Sequence, residues 1–231
     1  SYNAAGWTGT LTGSASDTGG AGLSAVELRI QRQSDSQYWN GSGWQVGATF
    51  VGAVGTTSWS YGLAGANLAD GVSYTVSARA TDAAGNVQGT LASATFTYDT
   101  TAPGTTIGTR PSNPSASTTP TFSFTSTETG STFRCRLDAG VWAACTSPHV
   151  VSPALADGSH TFDVEATDTA GNADATPDTY TWTVDATAPT AELADPGANL
   201  SGTVVLDASG SSDSGRGIAS TVLERSPAGA G

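Results

Sequence analysis

The segment Ala80-Thr81-Asp82-Ala83-Ala84-Gly85-Asn86 returns as Ala166-Thr167-Asp168-Thr169-Ala170-Gly171-Asn172 at a spacing of 86 residues. Asp99-Thr100-Thr101-Ala102-Pro103 returns at the same spacing as Asp185-Ala186-Thr187-Ala188-Pro189. A fixed period of this length is too long for one coil of a solenoid and suits a small sandwich domain. It predicts serial modules over 1–99 and 104–185, joined by short Pro-containing linkers. In 190–231 only the N-terminal half of a third module is expected, because Asp213-Ser214-Gly215-Arg216-Gly217-Ile218 echoes Asp17–Leu23 and the chain then stops.

Strand signals fill the first module: Thr8–Ser14, Val26–Ile30 with strict alternation, Tyr38-Trp39, Trp44–Val46, Trp59–Tyr61, Tyr74–Ala80 and Ala94–Tyr98. Short strands at this density, with 29 glycines and only 12% charged residues, predict an all-β chain of tandem immunoglobulin-like β-sandwiches. In the second module, Pro111–Pro120 reads as an extended stretch leading into a core strand at Thr121–Thr125.

The balance of charge excludes some partners. The net charge is −12 and every basic residue is arginine, which repels nucleic acid and anionic lipid. Without lysine, no Lys–Asn or Lys–Asp isopeptide cross-link can form. No apolar run is long enough to insert in a membrane. The absence of methionine and of a basic-then-apolar start predicts an internal or processed fragment, with any secretion signal outside it.

Cys135 and Cys145 flank a turn signal at Asp138-Ala139-Gly140. Folded there, the thiols face each other on adjacent strands, which points to a disulfide and an oxidising compartment. A pair of free thiols is the other reading. Zinc lacks support, since His149 and His160 stand apart from any second ligand pair.

The second module carries a resemblance. Thr119-Pro120-Thr121-Phe122-Ser123-Phe124, Phe133–Asp138, Trp142–Pro148, Asp157–Phe162 and Tyr180–Asp185 together resemble the tandem Ig-like repeats of large bacterial surface and secreted proteins, particularly of high-GC Gram-positive organisms. Leu68–Tyr74 is similar to the turn entering the F strand of fibronectin-type modules, which implies a tyrosine-corner role for Tyr74. Leu155-Ala156-Asp157-Gly158 repeats that turn, and His160 falls where Tyr74 stood, as a packing residue.

Asp-x-x-Gly-Asn, at Asp82–Asn86 and Asp168–Asn172, supports two readings. A hairpin turn explains every residue, since Asp closes onto its own backbone and Gly and Asn accept left-handed angles. The alternative is calcium, with hard oxygen ligands from Asp82, Asn86 and Asp99, repeated at Asp168, Asn172 and Asp185. The resemblance implies the latter, because related repeats stiffen their joints with calcium. Asp17 and Asp213 read as solvated loop residues.

Trp39 and Trp44 flank the hairpin tip Asn40-Gly41-Ser42-Gly43. Facing outward they would stack on sugar rings; facing inward they cap the sandwich. Asp163 and Glu165 share a strand face, as surface carboxylates routinely do. No nucleophile–His–acid order, metal-binding His pair or phosphate loop is present, so no enzyme activity is expected.

The function expected from these residues is a non-catalytic extracellular stalk or adhesin, partnered by neighbouring repeats of the same polypeptide and by a cell-surface or polysaccharide ligand. The alternatives are a carbohydrate-binding accessory module of a secreted enzyme, and a filament subunit whose half module is completed by strand addition.

Overall fold

In Val26-Glu27-Leu28-Arg29-Ile30, alternate side chains point to opposite faces of a strand. Val26, Leu28 and Ile30 are at most 2% exposed, while Glu27 and Arg29 lie on the other face. Burying each contributes roughly 1.5–3 kcal/mol, so this strand organises the first sandwich. The computed structural model describes residues 1–192 and 208–213. They divide into two compact units, Ser1–Gly104 with Thr127–Thr132 and Ala166–Ala175, and the remainder. Two segments of the second repeat thus group with the first, a division the sequence period does not anticipate.

The first unit contains β1 (Thr10–Ser14), β2 (Leu23–Arg32), β3 (Tyr38–Trp39), β4 (Trp44–Gln45), β5 (Val51–Gly52), β6 (Ser58–Gly62), β7 (Val72–Asp82) and β8 (Ala92–Tyr98). One antiparallel sheet runs β4-β3-β2-β7-β8, with β5 also on β2, and faces the pair β1-β6. Tyr74 is fully buried on β7, and its hydroxyl accepts the Ala69 N–H at 2.6 Å. This is the tyrosine corner that the F-strand resemblance implies.

Trp39 is 4% exposed and belongs to this core, its Nε1 donating to the Tyr61 hydroxyl at 2.8 Å. Trp44 donates to the Asn67 carbonyl at 2.9 Å and packs against Tyr74. Both indoles are committed to the sandwich, which corrects the outward-facing sugar platform. The alternation of Tyr38-Trp39 allows either face, and the large apolar ring takes the dry one.

The second repeat contains β9 (Thr105–Ile107), β10 (Thr121–Phe122), β11 (Phe124–Ser126), β12 (Thr132–Leu137), β13 (Ala143–Cys145), β14 (His149–Val150), β15 (Gly158–Thr167) and β16 (Asp178–Val184). Four strands form the sheet β13-β12-β15-β16, opposed by β10-β14 and β11-β9. The single strand expected over Thr121–Thr125 breaks at Ser123, which exchanges backbone bonds with Gly108 and Thr109 and so moves the chain from β14 to β9. Phe122 and Phe162 stack 4.2 Å apart, with Trp182 edge-on to Phe122.

Cys135 and Cys145 form a disulfide with Cα atoms 5.8 Å apart. They are not directly opposite: Cys135 pairs with Ala143 and Cys145 with Phe133. The bridge crosses the ladder diagonally on one face, because the turn is taken up by Asp138 and Ala139 at φ 50° and 57°. Such angles are the hairpin signature that glycine or asparagine usually supplies.

Of the half module, Thr190 and Ser212 exchange two backbone hydrogen bonds. Residues 193–207 and 214–231, and with them the strand-addition reading, lie outside the described residues. No helix among the described residues is long and apolar enough to cross a membrane.

Candidate functional site

The repeated Asp-x-x-Gly-Asn segments fold alike. Asp82 Oδ1 accepts the Asn86 N–H at 2.8 Å and Oδ2 accepts Asn86 Nδ2 at 2.7 Å. Asp168 makes the same two bonds to Asn172, and its Oδ1 also accepts the N–H groups of Ala170 and Gly171. Gly85 and Gly171 sit at φ 90° and 95°, angles that glycine adopts without a Cβ clash. The hairpin reading therefore accounts for the motif's internal bonds. The Asn86 bonds hold the Asp82 carboxyl below its ordinary value. For Asp168 burial acts in the opposite direction, but the Asn172, Gly171 and Ala170 donors outweigh it and its pKa is also lowered.

The carboxylates that converge are not the expected sets. Among the described residues, ligand atoms of Asp99, Glu128 and Asp168 lie within 4.8 Å of one another. All three belong to the first unit. Asp99 comes from the start of the linker, Glu128 from the loop between β11 and β12, and Asp168 from the end of β15. Asn172 Nδ2 donates to the Asp99 carbonyl at 2.9 Å and so fixes the backbone beside the cluster. Burial first, then the negative charges of Asp99, Asp168 and Asp70, push the Glu128 carboxyl above its usual range. Three clustered hard oxygen donors suit a divalent cation such as calcium.

The structure thus draws Asp99 from one expected ligand set and Asp168 from the other. It adds Glu128, which no repeated motif marks. Asp82 and Asn86 remain in their own turn, beside Asp17 in a shared depression. Asp17 is a loop residue that accepts the N–H groups of Gly19 and Gly22 at 2.8 and 2.9 Å. Asp185 Oδ1 is buried without a hydrogen-bond partner among the described residues.

Sequence reading also missed a linker clasp. Asp70 Oδ1 accepts both the N–H and the hydroxyl of Thr100, while Oδ2 accepts the Thr101 hydroxyl. In the second repeat Asp157 accepts the Ala186 N–H at 2.7 Å and the Thr187 hydroxyl. The Thr101 bond and then the Thr100 bonds lower the Asp70 pKa to about 2. The signal was present in the repeated Leu-Ala-Asp-Gly, but the partners lie 30 residues downstream.

Asp163 and Glu165 carry no paired-carboxylate chemistry here. Each is engaged by arginine across the sheet, Arg136 with Asp163 at 2.7 Å and Arg134 with Glu165. His160 donates to the carbonyl of Ala156, the position equivalent to Ala69, at 2.9 Å. It thus ties the same corner to the strand, but through the carbonyl and in the opposite direction to Tyr74, whose hydroxyl accepts the Ala69 N–H.

Fold and site together define tandem Ig-like β-sandwich modules bearing an acidic cluster. No protein-family model and no curated protein matches the sequence. Among solved structures, the chain is similar to fibronectin(III)-like modules of Clostridium thermocellum CbhA at 16% identity, covering 79% of this chain and 87% of that one, with a TM-score of 0.38. It is similar to a structure from a 1.5-MDa bacterial ice-binding adhesin at 20% identity, covering 82% and 63%, with a TM-score of 0.41. A Ca2+-stabilized adhesin of an Antarctic bacterium matches at 24% identity, covering 79% and 45%, with a TM-score of 0.36. The chain spans less than two-thirds of either adhesin structure.

Proposed function

We propose that this chain is part of a non-catalytic extracellular stalk or adhesive array, built from serial Ig-like repeats, with calcium held at Asp99, Glu128 and Asp168. The repeated linker clasp is the observation that carries the structural reading. Asp70 and Asp157 both spend their two carboxylate oxygens on the first residues of the linker leaving their own sandwich. A single binding or catalytic centre does not call for that bond twice; a chain that acts as a serial spacer does. The disulfide supports an oxidising, extracellular setting. Neighbouring repeats are the immediate partners, and a cell-surface or polysaccharide ligand would be met elsewhere than at Trp39 and Trp44.

Calcium fits the cluster because carboxylates packed this closely repel one another, and a divalent cation removes that repulsion. Extracellular modules bind calcium with Kd on the order of 10⁻⁴–10⁻³ M. At ten times Kd, binding stabilises the folded state by about 1.4 kcal/mol. Thermal melts in calcium against EDTA test this: the midpoint rises with calcium in the natural protein and does not in Glu128→Gln. A calcium-independent midpoint in the natural protein sinks the metal assignment and leaves the spacer reading standing. The spacer reading itself fails if Asp70→Ala and Asp157→Ala leave the linker amides as protected from exchange as before.

A further inference from the structure

The two repeats carry the same central strands but cover them differently. At the 86-residue spacing, Val76 on β7 corresponds to Phe162 on β15, and Phe96 on β8 to Trp182 on β16. Phe162 and Trp182 are 1% and 0% exposed, whereas Val76 and Phe96 are only half-buried. The registers agree, since Tyr74 pairs with Phe96 as His160 pairs with Trp182. The difference therefore lies in what covers the strands.

In the second repeat Phe162 and Trp182 pack on Phe122, and the β16 edge beside them is lined by the chain from Thr105 to Asn113. It opens as β9 on β11, then runs along β16: Ile107 N–H donates to Asp178 at 2.7 Å, the Pro111 carbonyl accepts the Tyr180 hydroxyl at 3.0 Å, and Asn113 Oδ1 accepts the Thr183 N–H at 3.1 Å. Arg110 lies over the Tyr180 ring. The run ends in a parallel bridge, with Ser115 N–H donating to Thr183 and the Asp185 N–H to Ser115.

The first repeat has only the end of this arrangement. Tyr2 makes the identical parallel bridge, its N–H donating to Thr97 and its carbonyl accepting from Asp99. Upstream of Thr97 no strand lies beside β8 among the described residues, and β1 pairs with β6 alone. Because the Thr97 carbonyl faces Tyr2, the alternation of an antiparallel ladder turns the Thr95 backbone groups the same way, away from β7. Between these two edges runs a groove of about 620 Å³, floored by Leu11, Val76 and the part of Phe96 that the stacked Trp7 leaves open, and rimmed by Thr10, Thr12 and Thr95.

We propose that this groove is the seat of a further β-strand of the first sandwich, joined ahead of Ser1 and lying parallel to β8. Direction and register follow from Tyr2. In a parallel ladder, backbone on the N-terminal side of Tyr2 meets Phe96 and then Ala94, so continuing the existing bridge fills the groove without a turn. The chemistry of the occupant is that of Thr105–Asn113: an extended, threonine-rich segment that satisfies the Thr95 and Thr97 edge and buries Val76 and Phe96. Strand addition of this kind draws its affinity from main-chain hydrogen bonds. It also removes an exposed edge that invites pairing with other chains.

The test joins the sequence of Thr105–Asn113 directly to Ser1, so that Ser1 takes the place of Pro114. The amides of Thr95 and Thr97 then exchange at least tenfold more slowly, and the first unfolding transition moves to higher temperature. Thr95→Pro, which removes an outward N–H at an edge where proline is tolerated, abolishes the gain in the extended protein while the unextended variant still folds. Unchanged exchange in the extended protein overturns the proposal. Equal protection by the same peptide added free at millimolar concentration overturns the attachment ahead of Ser1 and makes the groove a site for strands in trans.

Discussion

The two histidines of the second repeat are set to titrate in opposite directions. His160 Nδ1 lies 2.8 Å from Asp138 Oδ2 and Nε2 lies 2.9 Å from the Ala156 carbonyl. Both partners accept, so only the imidazolium satisfies the two contacts together. Burial opposes that charge, but Asp138 and the Ala156 carbonyl outweigh it and raise the pKa above 6.5. His149 stacks on Phe162 with ring centroids 5.6 Å apart, and burial lowers its pKa. A raised histidine contributes stability that is complete below pH 6.5 and is lost as pH rises through the folded pKa. A lowered one does the reverse: its neutral form is favoured, and stability is lost as pH falls from 6.5 through the folded pKa. Asp138 is 45% exposed, so solvent screens the ion pair and the His160 contribution is about 1 kcal/mol. The assay is an NMR titration of the two imidazole C–H signals, paired with urea melts between about pH 5 and 9, the interval spanning the reference histidine pKa. His160 titrates above 6.5 and His149 below it. In His149→Phe, which keeps the stack on Phe162, stability falls as pH rises past neutrality. In His160→Gln that fall disappears and only the acid-side loss remains. A shared titration midpoint, or an alkaline loss that survives in His160→Gln, would falsify the assignment of the corner to a charged imidazole.

Three further outcomes follow from the same strands. Replacing Cys135 and Cys145 by alanine opens a loop with a sequence separation of 10; the chain-entropy model puts the loss at about 2.8 kcal/mol, read as a lower urea midpoint for the second transition only. Ala139→Gly relieves a left-handed alanine at φ 57° and stabilises that transition by about 0.5–1 kcal/mol; a destabilised variant would show that the turn is not strained. Asp70→Ala frees the Thr100 amide, which exchanges faster at neutral pH. In the natural protein the same release occurs as pH falls below 3.8 toward about 2, because the clasp needs the ionised carboxylate.

What the sequence discloses here is governed by distance along the chain. Asp82 reaches Asn86 four residues away, and Asp168 reaches Asn172 likewise, so both turns are legible as words. Alternation in Val26–Ile30 is equally local, and the tyrosine corner spans only five residues. Asp70 is different. Its partners lie 30 and 31 residues on, and the intervening strands must fold before they meet. Glu128 is less legible still, because it joins Asp99 and Asp168 through loops of separate strands and repeats no motif. Trp39 shows another limit: strand periodicity says that neighbours face opposite ways, but not which face is dry.

The comparison of Val76 with Phe162 carries this point furthest. Both are inward positions of equivalent strands, and nothing in either residue predicts a difference in exposure. The difference arises because Phe162 is stacked on Phe122 and faced by His149 in a sandwich whose β16 edge is lined by Thr105–Asn113, while beside Val76 the β8 edge upstream of Thr97 has no such strand among the described residues. A repeat in sequence therefore guarantees equivalent strands without guaranteeing equivalent cover. Where the cover is absent, half-buried core residues and outward backbone groups coincide, and that coincidence marks a strand-accepting groove more specifically than apolar exposure alone.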